Sequence, residues 1–150
     1  MDLILWRHAE AVDGVPDLAR ELTPKGHRQA NDLAKWLRQR LPKSTVILVS
    51  PAARAQQTAQ ALTSDFKTVK DLSPGASPEA VLSAAGWPEQ SGAVLVVGHQ
   101  PALGEVAALL LSGEPGEWSI KKGGVWWLTY RDRGDPAEVQ VKAVMSPDLV

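Results

Sequence analysis

Leu-Ile-Leu-Trp-Arg-His, residues 3–8, is the stretch of sequence that decides the fold. Four consecutive large apolar residues without alternation are typical of a strand buried on both faces of a parallel sheet. Two further runs rich in valine, isoleucine and leucine, at residues 46–49 and 93–97, have the same character. The chain therefore carries three candidate strands for the interior of one parallel sheet.

Helices are predicted in the segments that separate these strands. Apolar residues at spacings of three and four predict an amphipathic helix over residues 24–41. Thr23-Pro24, Ser50-Pro51 and Ser77-Pro78 each supply a capping hydroxyl followed by a proline suited to the first helical position. A fourth helix is predicted to open at residues 99–101 and to run through residue 111, closed by Gly113.

The end of the chain predicts two more strands. Residues 125–130 form a largely apolar run, and Val139, Val141 and Ala143 alternate with polar residues, with the turn-rich residues 132–136 between the two segments. Residues 67–71 are a weaker candidate strand. We therefore predict an α/β fold, a three-layer sandwich with a mostly parallel central sheet, helices on both faces and an antiparallel C-terminal strand pair.

Length and composition indicate one globular domain over residues 1–150. The formal net charge of −1 argues against partners such as nucleic acid or an anionic membrane surface. The absence of cysteine excludes disulfides, thiolate nucleophiles and cysteine-ligated metals. With no basic leader before the first apolar run, and no later run long enough to span a bilayer, we expect a soluble, cytoplasmic protein.

Polar side chains follow three of the predicted strands. Arg7 and His8 end the first, Arg54 lies one turn into the helix after the second, and His99 follows the strand at 93–97. The carboxyl ends of parallel strands meet at one edge of a sheet, where helix N-termini also favour anions. Arginine forks bind phosphoryl oxygens and a neutral imidazole can attack phosphorus. The pattern predicts a phosphoryl site that requires no metal.

Four segments carry a resemblance to a known family. Arg7-His8 resembles the Arg-His-Gly signature of the histidine phosphatase (phosphoglycerate mutase-like) superfamily, with Ala9 in place of the glycine. The segments at residues 22–26, 49–59 and 97–101 are similar to its Leu-Thr-x-x-Gly, Ser-Pro-x-x-Arg-Ala-x-Gln-Thr-Ala and second-histidine segments. The short chain, its Arg-His-Ala-Glu-Ala opening and its Met-Ser-Pro tail are most similar to the SixA phosphohistidine phosphatases.

The resemblance implies a role for each residue of the predicted site. His8 would be the nucleophile that becomes phosphorylated, Arg7 and Arg54 would clamp the phosphate, and His99 would stabilise the transferring group. Water would then hydrolyse the phosphohistidine intermediate, with no cofactor and no metal.

The need of the leaving group for a proton donor indicates the class of substrate. Gln100 follows His99, where the acid phosphatase branch has a proton-donating aspartate. Glu10, Asp71 and Glu79 are the other acids considered, and none of them is assigned to the site. An imidazole leaving group needs a dedicated acid less than an alkoxide does. The resemblance therefore implies phosphohistidine in a signalling protein, such as a histidine phosphotransfer domain. A small phosphorylated metabolite and a non-catalytic phosphate-binding module are the alternatives; the short segment between Arg54 and His99 leaves little room for a lid over a small molecule.

Other conspicuous residues have simpler interpretations. His27 lies on a polar helix face, and Thr23 and Ser50 are explained by capping. Thr58 lies one turn after Arg54 and is expected to orient it. Trp126 and Trp127 are adjacent in a strand, so their rings must point to opposite faces of the sheet. One ring is expected in the core, and the other either packs at the surface or lines a pocket or a partner surface. The Lys-Lys-Gly-Gly sequence at residues 121–124 is interpreted as a charged turn.

Overall fold

A central six-stranded sheet organises the molecule, whose computed structural model describes residues 1–132 and 138–150. The strand order is β3-β2-β4-β1-β5-β6. The first four strands run parallel to one another, and the last two run antiparallel to their neighbours. The strands are β1 (Asp2–Arg7), β2 (Val46–Val49), β3 (Lys67–Thr68), β4 (Ala93–Gly98), β5 (Val125–Arg131) and β6 (Glu138–Met145).

Four α-helices cover the two faces of this sheet, α1 (Pro24–Arg38), α2 (Ala53–Gln60), α3 (Pro78–Ala85) and α4 (Ala102–Ser112). Alternate residues of β1 enter different cores: Leu3 and Leu5 pack with residues of α3 and α4, and Ile4 and Trp6 pack with residues of α1 and α2. Because both faces of β1 are covered, its run is continuously apolar. The predicted three-layer α/β sandwich with an antiparallel C-terminal pair is confirmed.

Two of the three predicted caps are present. The hydroxyl of Thr23 accepts a hydrogen bond from the backbone N–H of Gly26 at 2.9 Å, and that of Ser77 accepts one from Ala80 at 3.1 Å. The prediction for Ser50 was wrong, because α2 begins two residues later than its Ser-Pro dipeptide suggests. The Ser50 hydroxyl instead lies 2.8 Å from a ring nitrogen of His99, so this side chain belongs to the site rather than to a helix cap.

Two predicted elements are shorter than expected. The helix predicted over residues 24–41 ends at Arg38. Pro42 disfavours the helical conformation of the residue before it, Leu41, so the helix cannot continue to the predicted end. The strand predicted over residues 67–71 pairs only at Lys67–Thr68 and gives way to a 3₁₀ turn at Lys70–Leu72. The turn predicted at residues 132–136 lies almost entirely outside the described residues.

The adjacent tryptophans of β5 point to opposite faces. Trp127 is buried in the core beneath α1 and meets Trp36 edge-on, with ring centroids 6.4 Å apart. Trp126 is partly buried against the other core, 5.9 Å from the ring of Trp118. Both rings are thus packing residues. Among the described residues, no helix combines the length and apolar character needed to cross a bilayer.

Candidate active site

The carboxyl edge of the sheet brings two histidines together. β1 and β4 are parallel neighbours in a register that places Arg7 beside Gly98, so the residues that follow, His8 and His99, are also neighbours. Their ring centroids lie 5.1 Å apart with the planes tilted by 53°. Both side chains are buried, with exposed fractions of 8% and 5%. This proximity follows from strand order and register.

His8 has one ring nitrogen engaged by the backbone. Its Nδ1 lies 2.7 Å from the carbonyl oxygen of Ala9. A carbonyl only accepts, so Nδ1 carries the proton and Nε2 keeps its lone pair. Burial, together with the positive charges of Arg54, Arg7 and Arg20, lowers the pKa of His8 to about 4. Near neutral pH the ring is therefore uncharged and has a nucleophilic Nε2.

His99 is held by a hydroxyl. Its Nε2 lies 2.8 Å from Oγ of Ser50, and its buried Nδ1 has no hydrogen-bond partner among the described residues. Burial lowers the pKa of His99 to about 3, with further contributions from the neighbouring His8, which repels a second proton once it is protonated, and from the positive charge of Arg54. When the Ser50 hydroxyl donates to Nε2, Nδ1 carries the proton and is the donor left over for a bound oxyanion.

Two arginines complete the cluster. Arg54 is 4% exposed, and Arg7 is half-buried and donates through Nη1 to the carbonyl of Ile120 at 2.8 Å. In the described part of the chain, three buried side-chain nitrogens lack a hydrogen-bond partner: Nε of Arg7, Nε of Arg54 and Nδ1 of His99. Unpaired buried donors are rare and point to a ligand. Their concentration at one strand edge fits an anion that accepts several hydrogen bonds.

Thr58 ties the helix that carries Arg54 to the segment after His8. Its buried hydroxyl donates to the carbonyl of Arg54 at 2.8 Å and accepts from the backbone N–H of Ala9 at 3.0 Å. Thr58, which was expected to orient Arg54, thus links α2 to the segment that follows β1 through backbone groups. Ala9 is fully buried against Leu22 and Ala30, so its methyl group contributes to packing.

Asp17 is the site neighbour that sequence reasoning missed. Arg54 donates through Nη1 to its carbonyl at 2.8 Å and through Nη2 to its carboxylate at 3.1 Å. The carboxylate also accepts from Arg20 at 2.9 Å. Hydrogen bonds from Arg20 and Arg54 hold the pKa of Asp17 below its usual range. The spacing of Asp17 and Arg20 favours an ion pair, but nothing in the sequence indicates the contact with Arg54.

The three acids weighed from the sequence do not contact this cluster through any described hydrogen bond or ion pair. The carboxylate of Glu10 accepts from the hydroxyl of Thr23 at 2.8 Å, and Asp71 and Glu79 are exposed. His27 is exposed as well. Among the described residues, no group of three or more histidines and carboxylates is arranged to hold a metal ion. Independence from metals and cofactors stays a prediction.

The contact between Asp17 and Arg54 predicts a competition with bound anions. A phosphoryl group that engages the Arg54 fork must share it with a carboxylate that is already there. In Asp17→Asn the repelling charge is lost while the backbone carbonyl still positions Arg54. We expect inorganic phosphate or tungstate to bind the variant about three- to tenfold more tightly, measured by calorimetry. Unchanged or weaker binding would show that Asp17 supports the anion site.

The buried neutral histidines predict that stability falls in mild acid. Their pKa values are near 4 and 3 when folded and near 6.5 when unfolded, so below about pH 6.5 the unfolded chain takes up protons that the folded chain refuses. Stability is fully present above that pH and is lost as the pH falls toward 4. At about pH 5 each of the two histidines should lower the free energy of unfolding by about 2 kcal/mol relative to neutral pH.

Urea unfolding at about pH 7.5 and about pH 5 measures this loss. The double variant His8→Gln/His99→Gln should show a distinctly smaller loss between the two pH values than the wild type, whereas His27→Gln should behave like the wild type. The same loss in the double variant as in the wild type would assign the acid sensitivity to other groups.

Comparison with known proteins places the chain in a family. The model of the histidine phosphatase superfamily (branch 1) matches residues 3–75. The phosphohistidine phosphatase SixA homolog of Haemophilus influenzae is 32% identical over 126 residues, which cover 73% of this chain and 77% of that protein. The phosphohistidine phosphatase SixA of Escherichia coli is 32% identical over 124 residues, 76% of each chain.

A solved structure extends the similarity over the whole fold. The protein histidine phosphatase SixA complexed with tungstate superposes with a TM-score of 0.82 at 26% identity, and the match covers 99% of both chains. Sequence similarity over three quarters of the chain and structural similarity over nearly all of it agree with each other, and the chain belongs to the histidine phosphatase superfamily.

Proposed function

We propose that this protein hydrolyses phosphohistidine in a partner protein through a phosphoryl intermediate on His8, without a metal. The observation that carries the proposal is the state of His8, a neutral ring with Nδ1–H bound to a carbonyl and Nε2 unprotonated, 5.1 Å from His99 and flanked by buried Arg54. Family membership supports phosphatase activity.

In the first step, Nε2 of His8 attacks phosphorus, and the bond from phosphorus to the nitrogen of the substrate imidazole breaks. The departing ring keeps the electron pair of that bond and is released neutral, protonated on one nitrogen. Arg7, Arg54 and Nδ1–H of His99 bind the equatorial oxygens, where negative charge concentrates. The carbonyl of Ala9 stabilises the positive charge that develops on the His8 ring as Nε2 forms its bond.

In the second step, water attacks the phosphoryl group and the bond from phosphorus to Nε2 breaks. One proton of the water is released to phosphate or solvent, and its oxygen becomes the fourth oxygen of inorganic phosphate. His8 returns to its neutral form with the proton still on Nδ1. The same arginines stabilise both transition states, since the phosphoryl group stays bonded to His8 within the same cluster between the two steps.

The carboxylate nearest the cluster favours a nitrogen leaving group. The pKa of Asp17 is lowered by Arg20 and Arg54, so this group is ionised and does not donate a proton near neutral pH. A protonated imidazole departs without a protein acid, whereas the alkoxide of a phosphate ester does not. The names of the SixA relatives support the same substrate class.

A rate comparison tests the proposal. Phosphohistidine in a histidine phosphotransfer domain and a panel of phosphate monoesters are offered to the same enzyme, with phosphate release as the readout. We expect kcat/KM for phosphohistidine to exceed that for the best ester at least about 100-fold, and EDTA to leave both rates unchanged. Faster hydrolysis of an ester would support the small-metabolite alternative, turnover of neither would support a binding module, and loss of activity in EDTA would overturn metal independence.

A further inference from the structure

A basic cavity lies beside the phosphoryl site. Its volume is about 430 Å³, and Arg7 lies in its wall. Its other cationic residues are Lys25, Lys121 and Lys122, and its single carboxylate is that of Asp148. Four positive charges against one negative charge stand out on a chain whose formal net charge is −1. Positive charge therefore exceeds negative charge in this cavity, next to a residue of the proposed active site.

The three lysines, which we call the basic rim, are available to a partner. All three are exposed, and among the described residues Lys25 and Lys122 form no salt bridge. Lys121 lies 3.6 Å from Asp148, but both side chains are more than 60% exposed, and such a surface pair contributes little stability and exchanges readily. The basic rim is not neutralised by the fold.

Hydrogen bonds fix the turn that carries two lysines of the basic rim relative to His8. The backbone N–H of Gly123 donates to the carbonyl of His8 at 3.1 Å, and the indole of Trp6 donates to the carbonyl of Gly123 at 3.0 Å. Arg7 adds two more, from its backbone N–H to Gly124 at 3.0 Å and from Nη1 to Ile120 at 2.8 Å. The turn that carries Lys121 and Lys122 is thus bound to the strand end that carries the nucleophile.

We infer that the basic rim binds carboxylates on the protein that presents the phosphohistidine, so that this enzyme selects phosphohistidines set in an acidic surface. The inference rests on the proposed function. The three lysines share their cavity with Arg7, the residue next to His8, so residues that flank a phosphohistidine bound at His8 would lie beside the basic rim. Cations spread along an exposed rim match several carboxylates on a protein surface, and complementary charge increases encounter rates and selects partners.

Two synthetic peptides of equal length test the inference, each with one phosphohistidine, flanked by glutamates in one and by lysines in the other. Free phosphohistidine is the third substrate. At low ionic strength we expect kcat/KM for the glutamate peptide to exceed that for the lysine peptide at least about tenfold. The preference should shrink in about 0.5 M salt, since these charges are exposed to solvent.

The variant Lys25→Glu/Lys121→Glu/Lys122→Glu should lose or invert this preference, while kcat for free phosphohistidine, measured at saturation in about 0.5 M salt, stays close to that of the wild type. Lys43→Glu is the matched control, because Lys43 is exposed in the connection before β2, at the opposite edge of the sheet, and its reversal should leave the preference intact. If the wild type shows no preference, or the triple variant keeps it, the basic rim does not bind the partner. If the wild type hydrolyses none of the three substrates, the proposed function itself fails.

Discussion

His8→Ala should lower kcat/KM for phosphohistidine by about 10⁴-fold or more, the largest effect that we expect from a single substitution. Removal of a covalent nucleophile closes the two-step route, and the remaining arginines and His99 bind the phosphoryl group without accepting it. The measurement is phosphate release under single-turnover conditions. Because the ring is buried, thermal unfolding of the variant is followed in parallel to show that it remains folded.

The matched control for this substitution is His27→Ala. His27 is an exposed histidine in α1 without a contact to the cluster, and its removal should change the rate less than twofold. If His8→Ala kept more than about 1% of the wild-type rate, water would have to attack the substrate directly, and a mechanism through a covalent intermediate would be contradicted.

Arg54→Ala should lower kcat/KM by about 10²- to 10³-fold, mainly through kcat. The loss of a preorganised, buried donor to the transferring oxygens has about this cost in other enzymes. Arg54→Lys should recover only part of it, because an ammonium group cannot reproduce a bidentate fork. Steady-state kinetics of both variants separates a transition-state role from simple binding, which would raise KM and leave kcat unchanged.

The contact with Asp17 supplies a control for Arg54. Asp17→Asn removes the ion pair with Arg54 but keeps both arginine and fold, so its rate should stay within about tenfold of the wild type. A loss in Asp17→Asn as large as that in Arg54→Ala would show that the pair, rather than the guanidinium alone, carries the function.

The sequence alone was sufficient to predict that the site residues lie at one edge of the sheet, but not which strands are neighbours. Apolar runs with both faces buried mark the interior strands, and each interior strand of a parallel sheet delivers its next residues to one edge. His8 and His99 therefore had to be near one another once the first and fourth strands were placed side by side. Helices α1 and α4 could also be predicted, because the spacing of their apolar residues is a local property of the sequence.

Contacts made by loops could not be predicted from the sequence in this way. Ser50 precedes a proline, as a helix-capping residue often does, but its hydroxyl contacts His99, 49 residues further along the chain. Tertiary packing decides between the local and the distant partner, and the local sequence does not show it. Asp17 contacts Arg54 from a segment without periodic apolar residues, so the sequence does not predict where this segment packs. The edge strand β3 is shorter than its composition suggests, because the chain leaves β2 after two paired residues and enters the 3₁₀ turn at Lys70–Leu72.

The tryptophan excess also became intelligible only in three dimensions. Trp6 is fully buried and its indole fixes Gly123, next to the basic rim, whereas Trp127 and Trp36 close one face of the sheet. Composition gives only the number of such rings, whereas the fold shows that one of them supports the turn beside His8.

Identification of the phosphorylated atom tests the central claim most directly. The enzyme is mixed with phosphohistidine donor, quenched in alkali within the first turnover and digested, and the phosphoryl group is located by mass spectrometry and phosphorus NMR. We predict an acid-labile, alkali-stable phosphoryl group on Nε2 of His8, absent from His8→Ala and present in His27→Ala. A phosphoryl group on another residue, or on Nδ1 of His8, would contradict the account.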